Sequence, residues 1–225
     1  MNLFSSQNSP DLRRNAALPW LLVLAWGLLG WACRPDTYRG GLNVALGYET
    51  DTLLFDTVLV QAGSITKRFK VYNPSNQDLL VDRIALGSAL AGGSRPSGFR
   101  LNINGLAANQ AQNLRLAAGD SLYIFAEVTV NPNDSLTPYL VTDSVLFFTG
   151  QQVGKVMLTA FGQNARFYRD SIIGTTVWTK DLPIVIYNSI LVDSQATLWI
   201  QPGTRIFLNA GSSIFVNGTQ HAQGT

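Results

Sequence analysis

The chain has 225 residues, 46% of them hydrophobic and only 13% charged, with a formal net charge of +2. Without residues 1–32 it loses Arg13, Arg14 and Asp11, which leaves 14 basic and 13 acidic side chains. A near-neutral chain with no basic stripe interleaved with aromatics argues against nucleic acid as a partner. The single cysteine, Cys33, rules out an intramolecular disulfide, and with His221 as the single histidine there is no His/Cys metal cluster. Val, Ile, Leu, Thr, Asn and Gly dominate, and the only glutamates are Glu49 and Glu127. That mixture favours strands and turns over helices.

At the N-terminus, Arg13 and Arg14 precede an apolar run over residues 18–32. A positive segment followed by an apolar one is the order of a secretory signal peptide. The run is shorter than the ~20 residues a helix needs to cross a bilayer. Asn15-Ala16-Ala17 after the arginine pair does not follow the twin-arginine pattern, so the pair reads as ordinary positive charge. The segment Leu28-Leu29-Gly30-Trp31-Ala32-Cys33 resembles the lipobox of bacterial lipoproteins, in which a small residue precedes an invariant cysteine. Gly30 stands where that family prefers Leu, and Trp31 where it prefers a small residue. The resemblance implies diacylglycerol transfer to Cys33 and cleavage after Ala32. It makes residues 1–32 a signal peptide, residues 33–48 a tether, and the product an outer-membrane lipoprotein, periplasmic or surface-exposed. An uncleaved anchor with an incidental cysteine is the alternative; it also places the rest of the chain outside the cytoplasm.

Over residues 49–163, short runs alternate apolar and polar side chains. Strands are expected at 53–60, 65–72, 79–86, 99–103, 121–130, 144–148 and 155–161, with Asn73-Pro74-Ser75-Asn76 as a turn. About seven strands in about 115 residues fit an immunoglobulin-like β-sandwich. The stretches FKVYNPSNQDLLVDRIAL (69–86), FRLNING (99–105) and LAAGDSLYIFAEVTVNP (116–132) resemble an ASH-type, hydin-like immunoglobulin domain. That likeness implies a spacer or binding module.

After Asn164 the pattern changes. Apolar strands are expected at 182–187, 190–192, 196–200, 204–208 and 213–216, separated by Asp193-Ser194, Pro202-Gly203, Ala210-Gly211 and Asn217-Gly218. Short strands at near-constant spacing indicate a solenoid. ATLWIQPGTRIFLNAGSSIFVNGT (196–219) resembles the first coils of a right-handed parallel β-helix. In that reading Leu191, Leu198, Ile206 and Ile214 point inward. Extra strands of one large barrel are the alternative. Residues 184–225 supply about two coils, whereas a stable solenoid needs three or more and a cap. The expectation is therefore that 164–225 is the start of a β-helix that is truncated here, or one on which a second chain stacks.

Chemistry is sparse. A Ser-His-Asp triad would have to use His221. The nearer carboxylate pairs, Asp51 with Asp56, Asp78 with Asp82 and Asp181 with Asp193, all fall at strand ends or turns, where Asp caps structure. Strict alternation turns Trp199, Phe207 and Phe215 outward, a candidate stripe for stacking on sugar rings. The reading is a non-catalytic envelope lipoprotein without cofactor or metal, acting as a structural or binding module. Its partners are the membrane through the lipid, and a glycan or envelope protein. The alternative is the N-terminal fragment of a polysaccharide-binding or polysaccharide-degrading β-helix protein.

Overall fold

The computed structural model describes residues 44–90, 97–133 and 135–224. The expected signal peptide, Cys33 and most of the expected tether lie outside these residues. The described chain is all-β: its one helix, α1 (Gly87–Leu90), is a single turn.

Ten strands make two five-stranded sheets. The first has the order β1 (Gly47–Tyr48), β3 (Lys67–Tyr72), β8 (Ser121–Val128), β5 (Phe99–Ile103) and β6 (Leu106–Ala107), all antiparallel. The second has the order β2 (Thr52–Leu59), β10 (Gln152–Gln163), β9 (Tyr139–Thr149), β4 (Leu79–Leu86) and β7 (Gln110–Leu116). Here β2 pairs with β10 in parallel and the other pairs are antiparallel. Alternate residues of these strands point into one shared core, including Phe55, Phe69, Ile84, Ile124, Phe147 and Leu158. Phe69 meets Phe147 edge-on with ring centres 6.3 Å apart, and Phe55 meets Phe99 at 5.6 Å. Offset and edge contacts of this kind suit the charge distribution of aromatic rings.

The expected strands over 49–163 all form. Strand β7 was not expected, because QAQNLRL is polar and buries only Ala111 and Leu116. Its pairing with β4 skips Asn113, which has a φ of 54°, opposite Asp82.

Asn73, at the end of β3, is 1% exposed. Its Nδ2 donates to the carbonyls of Gln77 (2.7 Å), Leu116 (3.3 Å) and Ala117 (3.1 Å). Its Oδ1 accepts from the backbone N–H and the hydroxyl of Ser75. One side chain thus ties the β3–β4 turn to the β7–β8 turn. Three carbonyls require a donor, which Asp does not supply.

Seven further strands follow: β11 (Arg166–Ile173), β12 (Thr176–Trp178), β13 (Ile184–Val192), β14 (Thr197–Ile200), β15 (Ile206–Leu208), β16 (Ser213–Val216) and β17 (Thr219–Ala222). Every pairing among them is parallel. Thr176 lies beside Leu198 and Leu198 beside Gln220, a step of 22 residues each time. The same step takes Ile184 to Ile206, whereas Ile190 pairs with Ile214, a step of 24. The cause is the corner. Two residues separate Ile186 from Ser189, but four separate their partners Leu208 and Ser213, with Gly211 in the left-handed region at φ 78°. At the corner above, Asp170 and Asn188 are both left-handed, and Asn188 Nδ2 donates to Asp170 Oδ2 at 2.8 Å.

These strands enclose a second core of Ile173, Trp178, Ile184, Ile186, Ile190, Val192, Ala196 and Leu198, against which Ile206 and Ile214 pack. Leu191 is not an inward residue. Past the corner of β13, Ile190 and Val192 are buried and Leu191 between them pairs with Phe215 on the outer face. The four expected turns between these strands are present as loops, and Gly218 sits under one of them. A Cβ there would lie 2.2 Å from the carbonyl oxygens of both Asp193 and Ala196.

Two predictions follow from these positions. Asn73→Ala leaves buried carbonyls without donors and lowers unfolding stability by roughly 2–4 kcal/mol, read as a fall in the urea midpoint; Asn73→Asp does no better. Gly218→Ala forces adjacent turns apart, and amide exchange speeds up in residues 196–222 while β3 and β8 keep their protection.

Candidate binding surfaces

Alternation in the first sheet places a second set of side chains on its outer face. With Phe69, Val71, Leu122, Ile124 and Ala126 inside, β3 turns Arg68, Lys70 and Tyr72 outward, and β8 turns Tyr123, Phe125 and Glu127 outward. Strand β5 adds Arg100 and Asn102. The register sets Tyr123 beside Lys70, and Phe125 between Arg68 and Asn102. The Tyr123 and Phe125 ring centres are 6.4 Å apart, and the Arg68 guanidinium lies 4.9 Å from the centre of the Tyr123 ring. A cation over a ring face is attracted by the ring quadrupole, so Arg68 helps to hold Tyr123 in place. Tyr72 lies across β1 at Gly47, where a Cβ would be 2.2 Å from the ring; glycine is needed for that fit.

Beside Phe125 the surface dips into an open groove of about 400 Å³ bordered by Thr66, Arg100, Asn102, Ala107 and Glu127. Arg100 Nε donates to Glu127 Oε1 at 3.1 Å, and its Nη2 donates to Thr129 Oγ1 at 3.2 Å. Asn102 Oδ1 accepts from the Gly105 N–H. On the other side of the sheet, Tyr48 packs against Phe147 with its hydroxyl where a Cβ on Gly154 would sit. Burial pushes the Tyr48 phenol up from 10.0 to about 12.

The three residues expected to stack on sugar are all exposed, but they do not form one stripe. Trp199 is in the sheet of β12, β14 and β17, where its ring stacks on His221 at 4.2 Å and 19°. Phe207 and Phe215 are in the sheet of β11, β13, β15 and β16. Phe207 pairs with Val185 and Phe215 with Leu191, so the corner in β13 falls between them.

The carboxylates hold structure. Asp78 accepts the Ala118 N–H, Asp82 the Gly150 N–H and Asp193 the Ser194 N–H, while Asp181 accepts the Thr179 hydroxyl. Asp56 pairs with Lys67 at 3.6 Å. Asp143 accepts from the backbone N–H groups of Ser88 and Ser144 and from the Ser97 hydroxyl. Among the described residues no group of three or more His, Cys, Asp or Glu side chains is placed to hold a metal ion. Among them, too, no helix is long and apolar enough to cross a membrane.

Arg68 and Lys70 of β3 share the outer face of the first sheet with the outward Tyr123 and Phe125 of β8. Those residues are some 55 positions away, and only the antiparallel register brings them together.

No family model and no curated protein matches the chain. Solved structures are similar over about half of it. They include the VesB protease of Vibrio cholerae (13% identity, TM-score 0.34, 52% of this chain and 31% of that one). Another is a family 123 glycoside hydrolase from Clostridium perfringens (7%, 0.35, 55% and 26%), and a third is the E. coli chaperone DraB (13%, 0.34, 54% and 55%). The chain spans less than two thirds of each of these proteins.

Two expected outcomes test the placements. Trp199→Ala, Phe207→Ala and Phe215→Ala each cost less than about 1 kcal/mol, whereas Trp178→Ala, emptying the second core, costs about 3–5 kcal/mol in urea titration. The part of folding stability that depends on a neutral Tyr48 is fully present below pH 10 and is lost as pH rises towards 12, because Tyr48 ionises more readily in the unfolded chain. Tyr48→Phe flattens that alkaline loss in pH-dependent melts.

Proposed function

We propose that the protein is a cell-envelope lipoprotein whose exported part is a non-catalytic binding and spacing module. A lipid on Cys33 holds it to the membrane, an immunoglobulin-like sandwich follows, and the first coils of a right-handed parallel β-helix come after that. The 22-residue parallel step that aligns Thr176, Leu198 and Gln220 supports the β-helix reading, since stacked strands at a constant step are what a solenoid requires. Two sheets around one core support the sandwich reading.

The observation that carries a binding role is the outer face of the first sheet, where Tyr72, Tyr123 and Phe125 stay solvent-exposed and a groove opens beside Phe125. Asp78, Asp82, Asp181 and Asp193 accept hydrogen bonds at turns or strand ends, which supports a structural part for these carboxylates. The anchor reading rests on Cys33 in its lipobox-like setting: each buried methylene contributes about 0.8 kcal/mol, so several acyl chains make attachment lasting.

Labelled palmitate is expected to enter the wild-type chain in bacterial cells and not Cys33→Ala, with the label and the protein both in the membrane fraction. Equal labelling of the two chains would remove the lipoprotein reading.

A further inference from the structure

We infer that the groove over β5 and β8, with the rings of Phe125 and Tyr123 as its platform, is a binding site for a neutral, hydroxyl-rich glycan. The inference deepens the binding-module reading and does not depend on the lipid anchor. Three features decide the class of ligand.

The first is the pairing of ring faces with a groove. Phe125 and Tyr123 stand side by side on one strand, both more than a third exposed, and a groove of about 400 Å³ opens against Phe125. The apolar C–H face of a pyranose packs on such rings, and a groove of this size is at the small end of ligand sites.

The second is the mixture of unused polar groups around it. Among the described residues, the Thr66 hydroxyl, the Asn102 Nδ2 and the second carboxylate oxygen of Glu127 meet no hydrogen-bond partner. Arg100 is held in position by Glu127 and Thr129. Donors and acceptors lie together within the groove. A hydroxyl is both donor and acceptor and satisfies both kinds. A polyanion offers acceptors only and meets the Glu127 carboxylate as a like charge.

The third is the balance of charge. Arg100 is paired with Glu127. Glu49, which sits opposite Lys70, balances that lysine, and its carboxylate accepts the Lys70 N–H. Arg68 is the remaining cation, and it lies on the Tyr123 ring. The face therefore has almost no net field to draw in nucleic acid or an acidic polymer, and its affinity comes from ring contacts and hydrogen bonds that salt does not screen.

The test is affinity electrophoresis of the full chain, purified from whole-cell extract in mild detergent, through native gels. The gels contain laminarin, xyloglucan or galactomannan as neutral polymers, or alginate as an acidic one. At least one neutral polymer is expected to slow the protein in low and high salt alike. Tyr123→Ala with Phe125→Ala is expected to weaken that retardation by about tenfold. Thr66→Val, which keeps the shape and removes the hydroxyl, weakens it less, and Trp199→Ala with Phe207→Ala leaves it unchanged. Circular dichroism of each variant confirms that the outward substitutions leave the sheets intact. Retardation by alginate alone, lost in high salt, overturns the proposal, as does a neutral-polymer shift that survives the Tyr123/Phe125 double substitution. Failure of every neutral polymer to slow the wild type overturns it as well. None of these results bears on palmitate incorporation at Cys33, so failure of the anchor reading and failure of this one are told apart.

Discussion

The side-chain amide of Asn164 pins the point at which the chain passes from the first core of this protein to the second. It donates to the Asn133 carbonyl (2.6 Å), to Asn133 Oδ1 (2.9 Å) and to the Ser135 carbonyl (2.6 Å), and its Oδ1 accepts the Asn133 N–H. Asn164 follows β10, the strand that lies between β2 and β9 in the second sheet, and β11 begins two residues later. Fixing it fixes the direction in which the chain leaves the first core. Phe167 then packs back onto that core, and the Arg205 guanidinium, just before β15, donates to Gln163 Oε1 at 3.4 Å. A partly buried amide with its donors and acceptor all used is costly to disturb, because each lost partner leaves a desolvated polar group.

Much of the fold was legible because strand period and turn chemistry act locally. Lys67–Tyr72 shows its inward Phe69 and Val71 in the sequence, and Pro202-Gly203 announces a turn that the φ of 77° at Gly203 requires. Less legible were elements whose signal is not apolar. Strand β7 is held by its ladder to β4 and by two inward residues, and glutamine-rich sequence hides that. The register of the stacked strands was also hidden. Spacings of 7 and 8 residues mark successive strands around a coil, not the vertical partners, and the vertical step of 22 appears only in the pairing. This is why Leu191 read as inward and lies outside.

The candidate site was legible only in halves. Exposed aromatics on the later strands follow from alternation within single strands, so Trp199, Phe207 and Phe215 were found. That Trp199 falls on one sheet and Phe207 and Phe215 on another is decided by the strand pairing, and the corner in β13, where Asn188 takes a left-handed conformation, then parts Phe207 from Phe215. The face of the first sheet is a long-range product: Arg68, Tyr123 and Asn102 belong to three strands that meet only when β8 lies between β3 and β5. No single stretch of the chain contains enough of it to be recognised.

The two tryptophans among the described residues sit on neighbouring parallel strands and on opposite faces of them. Trp178 is fully enclosed and donates from Nε1 to the Tyr168 hydroxyl, while Trp199 is 41% exposed and lies flat on the His221 ring. Intrinsic emission from this part of the molecule therefore combines a sheltered indole with a solvent-facing one. A water-borne quencher such as acrylamide silences the second first, so the same native fluorophores report separately on loosening of the interior and on events at the surface.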